Sequence, residues 1–282
     1  MGTNSSKVLK RRYERGEYTT LNASKPNQLA KHRVVGIEVR GNRGERRYEC
    51  IVQELDTSEY TQTLTKVDDF LEKMNKTSPS ISSFFFICST KGKGNCFDLV
   101  FEYGRSDVSA GSLGDSVLRL MRVILDGLRF LDNIKLFYPD LGWNSVLRVG
   151  SGFKLINQFC YPDFLQFVTN TLLNVEQNSY SLTRILREKK AKNFENLCRM
   201  LREVIGLNSD MSHGGRFSNL GILLKYMELQ DPERVDYAQV IKKMEELFDF
   251  GLNGNKGYRE EKPRAQAHFQ IGSRMKHGMG EF

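Results

Sequence analysis

Phe97-Asp98-Leu99-Val100-Phe101-Glu102-Tyr103 opens the stretch that decides the fold, and a Gly/Ser-rich break from Gly104 to Asp115 follows it. Apolar residues then recur at Val117, Met121, Ile124, Leu128 and Leu131, with Leu118 and Leu125 widening the stripe and Arg119, Arg122, Asp126 and Arg129 between them. That spacing predicts a core-facing helix, capped by Asp115 or Ser116. Next come Tyr138-Pro139-Asp140-Leu141-Gly142-Trp143-Asn144-Ser145-Val146-Leu147 and, after a short turn, Phe153-Lys154-Leu155-Ile156-Asn157-Gln158-Phe159.

On the N-terminal side, residues 34–40 and 47–55 read as strands joined by the turn Gly41-Asn42-Arg43-Gly44. Val67, Phe70, Leu71 and Met74 line one face of a helix expected over 65–75. Ile81–Ser89 and Cys96–Tyr103 read as two further strands. On the C-terminal side, Asn178-Ser179-Tyr180-Ser181-Leu182 precedes an amphipathic helix over 193–205, and 220–227 and 237–250 read as two more helices around Asp231-Pro232-Glu233-Arg234.

Taken in order, these segments resemble a degenerate eukaryotic protein kinase. The expectation is an α+β, bilobal protein-kinase-like fold with a small β-rich N-lobe over 34–103, a hinge over 104–115 and a shortened helical C-lobe over 116–250. The resemblance puts Tyr138-Pro139-Asp140-Leu141 where His-Arg-Asp-Leu belongs, so Asp140 takes the place of the catalytic base. Ser145 stands where a metal-binding Asn belongs, and Asn157-Gln158-Phe159 stands for Asp-Phe-Gly. Phosphoryl transfer relies on a strand lysine, a Gly-rich loop and two metal ligands to position and neutralise the phosphates. No lysine occurs between Lys31 and Lys66, so Ile51 or a neighbour fills the lysine place, and Arg46 and Arg47 come before it. Asp68 or Asp69 falls where the helix acid belongs, without that partner. In the stretch leading into Val39 the lone glycine is Gly36, too few for a phosphate-cradling loop. Lys154 is expected to point outward along its strand. Together these losses imply a catalytically inactive pseudokinase with Asp140, Ser145 and Asn157 as vestiges, with no cofactor and with ATP and Mg²⁺ binding absent or weak. The role implied is a scaffold or allosteric partner of other proteins. Two alternatives remain: an unconventional phosphotransferase using Asp140, and an unrelated α+β interaction module.

Charge divides the 282 residues into three. The net +8 resides in residues 1–33, with eight Lys/Arg against two Glu, and in residues 256–282, with six against three acids. A near-neutral middle argues against a folded nucleic-acid surface. Both ends are expected to be flexible, and residues 251–282 carry no apolar periodicity. Met1-Gly2-Thr3-Asn4-Ser5-Ser6 fits the pattern for N-myristoylation at Gly2. One acyl chain binds membranes marginally, so Lys7, Lys10, Arg11, Arg12 and Arg15 are the expected second signal, contacting anionic lipid or an acidic partner. Five scattered cysteines and four separated histidines give no zinc pattern, and with no secretory signal or long apolar run the chain is expected in the cytoplasm, peripheral to a membrane at most.

Overall fold

The structure is a computed structural model that describes residues 3–21, 33–41, 44–56, 76–90, 96–113, 116–161, 163–164, 167, 179–207 and 215–248. Gly2, the helix expected over 65–75 with Asp68 and Asp69, and the tail 251–282 lie outside them. The architecture is α+β. Strands β1 (Thr19–Thr20), β2 (Arg33–Gly41), β3 (Gly44–Asp56), β4 (Phe84–Ser89) and β5 (Cys96–Glu102) form one antiparallel sheet in the order β1-β2-β3-β5-β4. Helix α2 (Val117–Asn133), a hairpin of β6 (Val146–Val149) and β7 (Gly152–Leu155), and helices α3 (Ser179–Leu207), α4 (Gly215–Glu228) and α5 (Tyr237–Phe248) follow.

Alternation along each strand sends side chains to two separate cores, because successive residues point to opposite faces. In β2, Val34 points one way and Val35 and Ile37 the other. In β3 the same split separates Ile51 from Cys50 and Val52, and in β5 it separates Leu99 and Phe101 from Val100. Val34, Ile51 and Phe101 are neighbours in register across three strands. They belong to one apolar core with α2, the β6–β7 hairpin and the last helices. All seven apolar positions foreseen in α2 are buried, and Ser116 stands at its cap position without a side-chain cap hydrogen bond. Arg122 of the outer face pairs with Asp126 and reaches Glu245 on α5.

The other sheet face corrects the expected flexible leader. Residues Thr3–Arg15 form helix α1, which lies on that face rather than ranging free. Leu9 is wholly buried and Tyr13 nearly so, one turn apart, among Val35, Ile37, Val52, Phe86 and Val100. Tyr13 stacks on Tyr18 with ring centroids 4.9 Å apart. Its hydroxyl donates to Asp98 Oδ2 at 2.8 Å, Arg33 Nη2 donates to both groups at 3.0 Å, and Thr90 Oγ1 donates to the second carboxylate oxygen at 3.1 Å. Burial and the neighbouring carboxylate push the Tyr13 hydroxyl far above the usual tyrosine range. A buried carboxylate is tolerated only when its lone pairs are met, and here three side chains meet them. Short basic leaders rarely announce such docking, since the partner residue lies 85 positions away.

Thr19–Thr20, within the stretch expected to be flexible, form β1, and α3 runs from Ser179 as one 29-residue helix, far longer than the span over 193–205. Among the described residues no helix is long and apolar enough to cross a membrane.

Docking of α1 sets a clear expectation for stability. Leu9→Ala should lower the unfolding free energy by about 2–5 kcal/mol, the range for truncating a buried leucine, in urea denaturation followed by circular dichroism. A change within about 0.5 kcal/mol, the usual effect of a surface substitution, would mean that the helix is not part of the fold in solution.

Candidate functional site

Asp140, Ser145 and Asn157 come from two segments that the β6–β7 hairpin brings side by side. Ile156 N donates to Ser145 O at 2.9 Å, so the residue after β7 is stitched to the residue before β6. From below, α3 holds the loop with two asparagines three positions apart: Asn193 Nδ2 donates to Tyr138 O at 2.8 Å and Asn196 Nδ2 to Leu141 O at 3.0 Å. These two carbonyls flank Asp140, and neither asparagine announces that role in the sequence. Tyr138 is fully enclosed, its hydroxyl donating to Ile156 O at 2.9 Å and lying 3.2 Å from the Tyr161 hydroxyl. Burial, then the neighbouring Tyr161, raises its ionisation well above the ordinary value of 10.0. The buried hydroxyl, bonded to Ile156 O, braces the loop.

Each expected metal-ligand position has its polar atoms committed to the protein itself. Ser145 is wholly buried; its hydroxyl donates to Gly142 O at 2.6 Å and accepts from Gly142 N at 2.7 Å, closing a tight turn. Asn157 is also buried. Its Nδ2 donates to Ser82 O at 2.9 Å, its Oδ1 accepts from Phe159 N at 3.1 Å, and its backbone N–H donates to Ser82 Oγ at 2.8 Å. This ties the turn after β7 to the segment entering β4, where Ile81 also bridges Leu155 in parallel. Asp140 differs: it is half-exposed, with Lys192 Nζ on α3 at 3.9 Å.

The sheet side offers no cation at the expected strand position. Ile51 is 1% exposed between Val34 and Phe101. Arg47, four residues earlier on the same face, lays its guanidinium over Gly36, where a Cβ would come within 2.8 Å of Nε. Gly36 is thus a strand glycine that makes room for an arginine. The outward reading of Lys154 is corrected: its Nζ reaches Glu102 Oε2 at 2.6 Å, and the same oxygen accepts from Ser83 N at 3.0 Å. The connection after β5 is equally fixed. Arg105 and Arg148 exchange two backbone hydrogen bonds of 3.0 and 2.7 Å, and a Cβ on Gly104 would lie 2.5 Å from Arg148 O. Only glycine passes there without displacing β6.

These contacts decide how magnesium and nucleotide fit. Mg²⁺ takes near-octahedral oxygen ligands, usually carboxylates and waters, at about 2.0–2.1 Å. Ser145 and Asn157 would have to break protein hydrogen bonds to offer theirs, and among the described residues no group of three His, Cys, Asp or Glu is assembled for a metal. Two cavities of ≈ 10 and ≈ 30 Å³ lie beside Ser82–Gln158 and between α2, α3 and α5. Each is on the scale of one or two waters, where a small-molecule pocket has about 300–1,000 Å³. Among the described residues, Ser145 and Asn157 are bonded within the protein beside one half-exposed carboxylate, and Gln158 Oε1 is buried without a hydrogen-bond partner.

Asn157→Asp tests this bonding. The change supplies a metal-binding carboxylate but removes the donor to Ser82 O, leaving two acceptors face to face. A loss of about 1–3 kcal/mol in unfolding free energy is expected at neutral pH, with no recovery on adding Mg²⁺. A carboxyl so placed is disfavoured in its charged form, so its folded pKa rises. The penalty should then shrink as pH falls and the group protonates. Stabilisation of the variant by Mg²⁺ would show that the amide had been standing in for a ligand. No protein-family model matches this sequence, and no curated protein matches it either.

Proposed function

We propose that the chain is a catalytically silent protein-kinase-like module that serves as a scaffold or allosteric partner for other proteins. One observation carries the reading: the polar atoms of Ser145 and Asn157, the two positions that would hold metal, are bonded within the protein. Ile51, buried where a phosphate-binding lysine would stand, supports it from the sheet side. The kinase-like part rests on order. Three consecutive antiparallel strands come first, residues 57–75 intervene, and two further strands join beside β3. A long helix, a braced loop bearing Asp140, and a short hairpin ending at Asn157 then follow. In this reading Asp140 is a vestige whose loop is held by α3, and α+β layers provide surface for partners instead of a cleft for nucleotide.

Nucleotide binding is the direct test. A ligand that binds only the folded state stabilises it by about 2.7 kcal/mol at a hundredfold excess over its Kd. With millimolar ATP and Mg²⁺ no Mg²⁺-dependent rise in melting temperature is expected, and no transfer of labelled phosphate to the chain or to general protein substrates. Phosphotransfer that vanishes in Asp140→Asn would replace this reading with an unconventional phosphotransferase. A nucleotide shift without transfer would place nucleotide among the chain's regulators.

A further inference from the structure

The geometry points to the outer ridge of α1 as a docking face for an anionic lipid bilayer, held by electrostatics while the helix stays on the sheet. This inference rests on charge and helix geometry and stands apart from the kinase-like reading. Because Leu9 and Tyr13 face the sheet, the helical repeat turns Lys7, Arg11 and Arg15 together toward solvent at intervals of one turn. They span about 12 Å along the axis at 1.5 Å per residue. Lys7 and Arg11 have no ion-pair partner among the described residues. Arg15 is 72% exposed, with one nitrogen 3.7 Å from Glu17. Val8, an exposed apolar residue, lies to one side of this row. The structure thus sorts the five basic residues of the segment. Lys10 and Arg12 lie on the flanks, half-exposed and turned toward Glu14 and Glu17 at 3.8 and 3.7 Å, which leaves the other three to face outward.

Three features select a bilayer over other polyanions. The helix is packed on the sheet along its apolar side, so it offers a partner only a straight row of charges. A plane of anionic headgroups accepts such a ridge without projection, and long Lys and Arg stems reach it with their charged tips. The helix's own apolar stripe is already used: Leu9 and Tyr13 belong to the sheet core, and the Tyr13–Asp98–Arg33 bonds hold them there. A free amphipathic helix would bury that stripe in lipid. This one meets the surface with its charged side instead, so binding should be shallow and salt-sensitive.

The experiment is co-sedimentation of the full chain with phosphatidylcholine vesicles, with and without phosphatidylserine. Binding is expected only with phosphatidylserine. It should be lost on moving from about 0.1 M salt, where the Debye length is about 10 Å, to 1 M, where it is about 3 Å. Lys7→Glu/Arg11→Glu/Arg15→Glu should lower the partition coefficient at least about tenfold, since each basic group near the surface contributes separately. The control Lys225→Glu/Arg234→Glu/Lys242→Glu, the same charge change at exposed positions of the helical side, should bind as the parent does. Unchanged melting temperatures would show both folded, and the milder Lys7→Gln/Arg11→Gln/Arg15→Gln serves if the first variant is not. Equal losses in the two triple variants would reduce the effect to net charge and overturn the face. So would unchanged binding in the α1 variant, binding that survives 1 M salt, or a parent that binds heparin or DNA but not phosphatidylserine vesicles.

Discussion

Strand β5 has no face turned to water along its centre, and most of the fold follows from that constraint. Leu99, Val100 and Phe101 are all fully buried, two toward the helical side and one toward α1. A strand in that position needs a covering layer on both sides, because each large apolar side chain left exposed forfeits about 1.5–3 kcal/mol. One layer is α2 with the β6–β7 hairpin and the helices behind it. The other is α1, a short helix of many charges that would have little reason to form alone. Asp98, between Phe97 and Leu99, then becomes a buried carboxylate and must find donors, which Tyr13, Arg33 and Thr90 provide. The apolar demand of one strand and the polar demand of its one acid are met by the same N-terminal segment.

A comparable economy of bonds holds the segment from Tyr138 to Tyr161. The loop before β6 is short and partly buried, so its backbone and side-chain polar groups require partners. Ser145 closes its own turn, Asn157 bridges to Ser82, Tyr138 caps Ile156, and two asparagines of α3 take the carbonyls beside Asp140. Ser145 and Asn157 are already part of this network. Recruiting one for a metal or phosphate would leave its present partner buried and unbonded, at a cost of about 1–3 kcal/mol for each.

Lys154 and Arg47 show how position decides the role of a charge. By residue type both are candidates to bind phosphate. Lys154 instead closes an ion pair with Glu102 between β7 and β5, and Arg47 lies flat on a strand glycine. Meanwhile Lys7, Arg11 and Arg15, in a segment that sequence alone assigns to a mobile leader, are set in a row by a helix whose other side is locked. Charge that would be diffuse on a loop becomes a surface.

Periodicity alone determined much of this protein. The stripe from Val117 to Leu131 and the strand-like runs 34–40, 47–55 and 96–103 each stated a local structure, since helices and strands have distinct sequence patterns. Asp140, Ser145 and Asn157 were singled out together only through the resemblance of 138–159 to kinase motifs. Tertiary structure decided the rest, for reasons no local pattern carries. Leu9 and Tyr13 are two of just three apolar residues in a basic stretch, and they become core because β5 leaves a face uncovered. Tyr13 meets Asp98 across 85 residues, Asn157 meets Ser82 across 75, and Asn193 meets Tyr138 across 55. Hydrogen bonds between such distant groups exist only once the chain has folded. They are what ties Tyr13, Asn157 and Tyr138 into the folded network.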